Sequence, residues 1–318
     1  MARLEVLGIT VALDQAHVDR VQQAFPDLTI RVEQDLERAP QVMKDVDAFV
    51  GRARHVSLMS DADRLRWVQT LTAGADAIPV EEVTRRGIVL TNGSGIHAPN
   101  LAEHILCFML AFARGFPALL RRQLNHEWNQ DLRQFELEGQ TLCVVGLGDI
   151  GLKLGGKASA LGMRVTGVRR RDLPAPAYIE RSVVFGDMNP LLAEAEHVAI
   201  TLPLTEQTRG MFDARRMSLL KPGSFLYNVG RGEIVDQDAM IELLKSGHIA
   251  GAGLDVTLPE PLPPDSPLWD MENVMITAHT GGRSPKRMDR FVDLLIDNIQ
   301  RYRTDEPLRN VVDLEAGY

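Results

Sequence analysis

The chain has 318 residues, 45% hydrophobic and 25% charged, and its 35 Lys and Arg against 43 Asp and Glu leave a formal net charge of −8. That length allows about two domains with full cores, and the acidic balance speaks against a nucleic-acid partner, which draws a basic excess. No apolar run approaches the ~18 residues of a membrane span, the short acidic start does not read as a signal peptide, and Cys107 and Cys143 alone make neither a disulfide framework nor a zinc site; the expectation is a cytoplasmic globular protein with no metal and no membrane partner.

Taken in chain order, short apolar runs read as strands at 4–8, 29–32, 48–51, 67–71 and 88–91. The segments between them carry helical spacing, as in Val18, Val21 and Phe25. Such alternation predicts a parallel sheet flanked by helices. A longer helix is expected over 99–124, with Pro99 in its first turn and Leu101, Ile105, Phe108 and Phe112 on one face. His97 and His104, around its start, read as packing residues. A second alternation places strands at 141–145, 164–168, 197–202, 224–229, 250–256 and 274–278. A closing helix at 284–303 presents Phe291, Leu294, Leu295 and Ile299 on one face, and the Pro-rich stretch from Pro259 to Pro264 is loop. The fold class is α/β, with two doubly wound parallel-sheet domains. If the last helix returns to the first sheet, the domains are 1–98 plus 285–318, and 99–284.

Within the second domain, Gly146-Leu147-Gly148-Asp149-Ile150-Gly151 stands between a strand and a helical stretch. In a dinucleotide-binding turn, the first glycine makes the bend and the second lets backbone approach a pyrophosphate. The third lets the helix pack closely on the strand, with the helix N-terminus facing the anion. Gly146, Gly148, Asp149, Ile150 and Gly151 are therefore candidate cofactor residues; the blander reading is an ordinary strand–helix turn. The run from Gly151 to Ala158 resembles a P-loop but lacks the Ser or Thr that would hold magnesium, and it lies inside the helix. An acidic residue about 20 positions on usually holds the ribose 2′-hydroxyl of NAD. Here the next strand ends in Arg169, Arg170 and Arg171, whose guanidiniums suit a 2′-phosphate. NADP(H) is the preferred cofactor on this reading, with NAD(H) possible; a solvated charge run is the alternative.

Three further segments follow predicted strands: Asn228-Val229-Gly230-Arg231-Gly232, Asp255-Val256-Thr257-Leu258-Pro259-Glu260, and Thr277-Ala278-His279-Thr280-Gly281. Ligands of open α/β sheets bind outside the carboxyl ends of strands, so Arg231, Glu260 and His279 are expected to converge. In order and spacing these segments resemble the D-isomer-specific 2-hydroxyacid dehydrogenases, which include glyoxylate and hydroxypyruvate reductases. The resemblance implies a Rossmann dinucleotide-binding domain (99–284), a flavodoxin-like substrate domain (1–98 plus 285–318) and a homodimer, with Trp128 in its contact. It implies NADPH-dependent reduction of small 2-keto acids to (R)-2-hydroxy acids. Arg231 would bind the substrate carboxylate, His279 would exchange the proton and Glu260 would hold the imidazole. Ala73, Gly74 and Ala75 would cradle the substrate carboxylate, Asp255 would meet the nicotinamide carboxamide, and Leu202, Pro203, Thr208, Val229 and Gly281 would line the cofactor. Arg52 and Arg54 face either the substrate or solvent. Gly230 departs from the family, which commonly has Ala or Ser there, and the change is expected to be without consequence. Glu260, rather than Gln, argues against formate dehydrogenase, and the absence of a segment after Tyr318 against phosphoglycerate dehydrogenases with a regulatory tail. A dinucleotide-sensing corepressor-like binding protein is the alternative from another functional class, and a phosphite dehydrogenase is the alternative that keeps the enzyme and changes the substrate.

Overall fold

A computed structural model describes residues 4–72 and 79–314. In chain order the elements are β1 (Val6–Ile9), α1 (Gln15–Ala24), β2 (Thr29–Val32), α2 (Ala39–Val42), β3 (Ala48–Gly51), β4 (Trp67–Thr70), α3 (Val80–Arg85) and β5 (Val89–Thr91). α4 (Ala98–Ala113) and α5 (Phe116–Leu124) come next. They are followed by β6 (Thr141–Val145), α6 (Asp149–Ala160), β7 (Arg164–Arg169), β8 (Arg181–Val184), α7 (Asn189–Glu194), β9 (His197–Ile200) and α8 (Ala214–Met217). The chain then forms β10 (Ser224–Asn228), α9 (Gln237–Lys245), β11 (Ile249–Leu254), β12 (Val274–Ile276) and α10 (Arg287–Thr304). It divides into two compact units, Met1–His97 with Ser284–Tyr318, and Ala98–Arg283.

The first unit holds a parallel sheet in the order β2-β1-β3-β4-β5, the flavodoxin-like order. β1, β3 and β4 are buried along their whole length, because a parallel sheet is covered on both faces and favours continuous apolar runs. One covering layer is α1 with α10: Phe291, Val292, Leu295 and Ile299 pack with Leu7, Ile9, Val50 and Trp67. Arg20 of α1 fixes the pair by donating to Asp289 at 3.0 Å and Asp293 at 2.5 Å.

The second unit is a seven-stranded parallel sheet in the order β12-β11-β10-β9-β6-β7-β8. The direction of winding reverses at β6 and β9, the topological switch of a Rossmann fold. One core packs α7 and α9 on the sheet through Leu192, Val198, Leu226, Ile241 and Leu244. The other packs α4 and α6 through Ile105, Phe108, Leu142, Val144 and Leu154.

Two elements differ from the sequence reading. The helix expected over 99–124 is two helices bent by 69°. Apolar spacing continues through the break, but Gly115 sits at φ +70, where a Cβ would lie 2.4 Å from the Leu132 side chain, and Pro117 opens the next helix. β8 is a short half-buried edge strand whose sequence shows no two-residue alternation. Several strands also stop before their expected ends, at 200, 228, 254 and 276. The residues that leave the sheet there are the ones that build the site. Among the described residues no single helix is long and apolar enough to cross a membrane.

Candidate active site

The glycine loop follows β6. Gly146 takes φ +115, a conformation side chains rarely adopt, and a Cβ there would lie 2.9 Å from the Thr201 hydroxyl. The backbone N–H groups of Gly146 and Leu147 both donate to the Val168 carbonyl, at 2.9 and 3.0 Å, so the loop docks on the end of β7. Gly151 lies in the first turn of α6, where a Cβ would fall 2.1 Å from the Gly146 carbonyl oxygen. Gly148 is different: a Cβ there meets nothing within 4 Å. Open space in front of a helix N-terminus, reached by a backbone without a side chain, fits a pyrophosphate. Asp149 and Ile150 form the first turn, Ile150 packing inward.

Arg169 ends β7, beside the loop, with Nη1 donating to the carbonyls of Leu173 and Pro174 at 3.1 and 3.3 Å. Its guanidinium closes the turn that carries Arg170 and Arg171, so this arginine has a local structural task besides any ligand.

The Arg231, Glu260 and His279 segments leave the C-terminal ends of β10, β11 and β12, three adjacent strands. Close approaches join them. A Cβ at Gly232 would lie 2.0 Å from the Thr257 carbonyl oxygen, and one at Gly230 2.6 Å from that of Leu202. Glycine at 230 therefore suits this close approach of backbone to backbone. Asn228, buried at the end of β10, donates to the Arg231 carbonyl at 2.9 Å and accepts from the Gly230 N–H at 3.0 Å. Arg231 Nη1 donates to the Gly230 carbonyl at 2.8 Å. Gln237, opening α9, pairs with both backbone groups of Leu258, at 2.7 and 3.0 Å. The Thr257 N–H donates to Glu260 Oε1 at 3.2 Å.

Glu260 Oε2 lies 2.7 Å from His279 Nδ1, the ring 50% and the carboxylate 38% exposed. Nδ1 is the donor in this pair, since an ionised carboxylate only accepts. Nε2 is the nitrogen left to act on a ligand. The Asp255 carboxylate is buried and accepts from Thr277 Oγ1 at 2.7 Å, Thr280 N at 2.9 Å and Gly281 N at 3.0 Å. It therefore shapes the His279 loop, whatever else it meets. Thr208 is likewise buried, its hydroxyl donating to the Pro203 carbonyl at 2.7 Å; it shapes the loop after β9, on which Leu202 is buried. Val229 is also buried. Ala73, Gly74 and Ala75 lie outside the described residues. Among the described residues no group of three His, Cys, Asp or Glu side chains is placed to hold a metal ion.

The positions that sequence reasoning passed over are Asn228, Gln237, Thr257 and Thr277. Asn228 and Thr257 bond within their own segments, whereas Thr277 and Gln237 bond to other loops, which spacing does not reveal.

Residues 106–281 match the family model of the D-isomer specific 2-hydroxyacid dehydrogenase, NAD binding domain. The chain is 33% identical over 291 residues to a glyoxylate reductase of Korarchaeum cryptofilum, covering 86% of this chain and 85% of that one. Among solved structures it resembles a D-isomer specific 2-hydroxyacid dehydrogenase from Xanthobacter autotrophicus Py2 in complex with NADPH and MES, with a TM-score of 0.84 and 30% identity over 99% of both chains. It also resembles an NADPH-dependent glyoxylate/hydroxypyruvate reductase from Sinorhizobium meliloti in complex with NADP and sulfate, with a TM-score of 0.82 and 26% identity over 99% of this chain and 100% of that one. Matched over more than half its length by that family model and 33% identical to a relative across most of both chains, this chain belongs to the D-isomer specific 2-hydroxyacid dehydrogenase family.

Proposed function

We propose that the protein reduces small 2-keto acids, such as glyoxylate and hydroxypyruvate, to (R)-2-hydroxy acids with NADPH, reversibly, in the cytoplasm. The observation that carries this reading is the 2.7 Å pair of His279 and Glu260, from the ends of β12 and β11, with Arg231 at the end of the adjoining β10. A bound nicotinamide dinucleotide supplies the hydride to C2. The planar, permanently charged fork of Arg231 suits the substrate carboxylate and polarises the 2-oxo oxygen. Nε2 of His279 gives its proton to that oxygen as negative charge grows there, and takes it back when a hydroxy acid is oxidised. Glu260 keeps the ring in register and fixes which nitrogen carries out the transfer.

On this reading 99–284 binds the dinucleotide and 1–98 with 285–318 binds substrate, Ala73, Gly74 and Ala75 cradling its carboxylate. Asp255, Val229 and Gly281 border the nicotinamide, with Leu202, Pro203 and Thr208 beside the dinucleotide. Arg169, Arg170 and Arg171 favour the 2′-phosphate of NADP(H) over NAD(H). Two similar structures, one in complex with NADPH and one with NADP, support that preference. The reading includes a homodimer: Leu110, Phe116, Leu120, Leu124 and the 94% exposed Trp128 are exposed apolar side chains on α4, α5 and the loop beyond, which suits such a contact.

The test is a panel of 2-keto acids with NADPH and NADH, followed by absorbance. Turnover of glyoxylate or hydroxypyruvate, faster with NADPH, is the expected result. No turnover of any 2-keto acid would overturn the reading, and phosphite oxidation, or tight dinucleotide binding with a captured protein partner, would replace it.

A further inference from the structure

The His279 loop is held in an unfavourable backbone conformation. Ala278 and His279 stand at φ +47 and +56, two successive side-chain-bearing residues in the left-handed region. Such strain persists only where the surroundings over-determine it. Here one residue, Asp255, makes several of the hydrogen bonds that hold it, alongside Asn100, which donates to the Gly281 carbonyl at 2.6 Å. The Asp255 carbonyl accepts from the His279 N–H at 2.6 Å, and the Asp255 carboxylate accepts from Thr277, Thr280 and Gly281 on either side of it.

A second-layer contact completes the arrangement. His104, on α4, places Nε2 2.8 Å from Thr277 Oγ1 and 3.7 Å from Asp255 Oδ1. The Thr277 hydroxyl has a single hydrogen, and the 2.7 Å bond to Asp255 uses it. Its oxygen must then accept from His104, so His104 carries hydrogen on Nε2. The ring is also steadied within α4 by an edge contact with Phe108, centroids 4.9 Å apart at 79°. This polar link runs from a helix in the body of the sheet domain to the loop that carries the reacting histidine. It goes beyond the packing role that His104 has in the sequence.

We infer that His104 is a positioning residue for His279, acting through the Thr277 hydroxyl on Asp255. Without the N–H from His104 the Thr277 hydroxyl is free to turn from the carboxylate. The Asp255 carboxylate then loses the donor that aligns it with the Thr280 and Gly281 N–H groups, and the left-handed pair relaxes. The inference rests on the proposed role of His279, so the test includes a reading that needs no turnover.

Four variants divide the contact: Thr277→Val and His104→Leu remove it, Thr277→Ser keeps the hydroxyl, and His104→Gln keeps a donor at the same reach. Amide hydrogen exchange of the peptide spanning 277–283 reads the loop directly. We expect at least about tenfold faster exchange in Thr277→Val and His104→Leu, and near-parental exchange in Thr277→Ser and His104→Gln. In steady-state kinetics, kcat should fall about 10- to 100-fold in the first pair, while KM for the keto acid stays within about threefold. Arg231 is untouched, so a general loss of structure would instead move both. Unchanged exchange in both Thr277→Val and His104→Leu overturns the inference, as does failure of Thr277→Ser to restore it. A parent without turnover would sink the functional reading alone, since the exchange result still decides the positioning.

Discussion

The glycine loop offers a pair of substitutions with opposite signatures. Gly151→Ala places a methyl 2.1 Å from the Gly146 carbonyl oxygen and 2.9 Å from Val144 Cγ1. An ordinary carbon–oxygen contact is about 3.3 Å, so α6 must withdraw by roughly 1 Å, against backbone that has no rotamer to give. Overpacking of that kind costs about 1–3 kcal/mol, or about 2–4 °C in Tm per kcal/mol for a unit of this size. The same retreat moves the helix N-terminus from the dinucleotide, so affinity falls too. Gly148→Ala differs because its Cβ meets nothing within 4 Å and its φ of −87° suits alanine. Only the weaker cap preference is lost, less than about 1 kcal/mol. With NADPH present, however, the methyl occupies the space argued for the pyrophosphate, and we expect at least a ~10-fold weaker Kd, about 1.4 kcal/mol. Calorimetric titration with NADPH and thermal melts without it separate the two effects. If Gly148→Ala binds as tightly as the parent, the open space is not the dinucleotide site. If Gly151→Ala melts like the parent, the contact does not hold the helix.

Three other outcomes can be checked. His279→Ala should lose about 10²- to 10⁴-fold in turnover with NADPH affinity kept, and loss of affinity instead would assign the histidine to binding. Arg169→Asp should weaken NADPH at least ~10-fold relative to NADH, the scale of a charge-assisted hydrogen bond; equal or better NADH binding by the parent would sink the arginine reading. His197 is buried between Phe225 and Tyr227, with Nδ1 2.9 Å from the Tyr227 hydroxyl and Nε2 2.6 Å from Gln140 Oε1. Burial pushes its pKa from 6.5 down to about 4. The unfolded chain takes up a proton near pH 6.5 that the folded ring refuses, so the stability contributed is full above that pH and is lost as pH falls towards 4, by up to about 3 kcal/mol. Urea midpoints between pH 7.5 and 5 should show the loss, and His197→Gln should flatten it; parallel curves would mean that other groups dominate.

Much of the fold was legible because parallel strands buried on both faces read as plain apolar runs, as at 48–51 and 141–145. The helix expected over 99–124 divides in two because apolar spacing does not register a bend; the break falls at Gly115, at φ +70, just before Pro117. The site divides in the same way. Gly146 and Gly151 declare themselves because conformation and close approach restrict residue type there. Arg231, Glu260 and His279 declare themselves by chemistry. The supports are silent in the sequence: nothing local to Gly230 points to the Leu202 carbonyl, nothing near Gln237 points to Leu258, and His104 looks like any histidine on a core helix.

The return of α10 to the first sheet has a consequence for biosynthesis. The chain leaves that unit after His97 and re-enters it at Ser284, so the whole glycine-loop unit is translated before Phe291, Val292, Leu295 and Ile299 exist to cover the first sheet. Domains fold as units while the chain emerges. The inserted unit is therefore the one able to finish first, and the earlier-made strands wait with an apolar face uncovered. A nascent chain stalled before residue 284 would carry a folded second unit and an incomplete first one, an order opposite to that of the sequence.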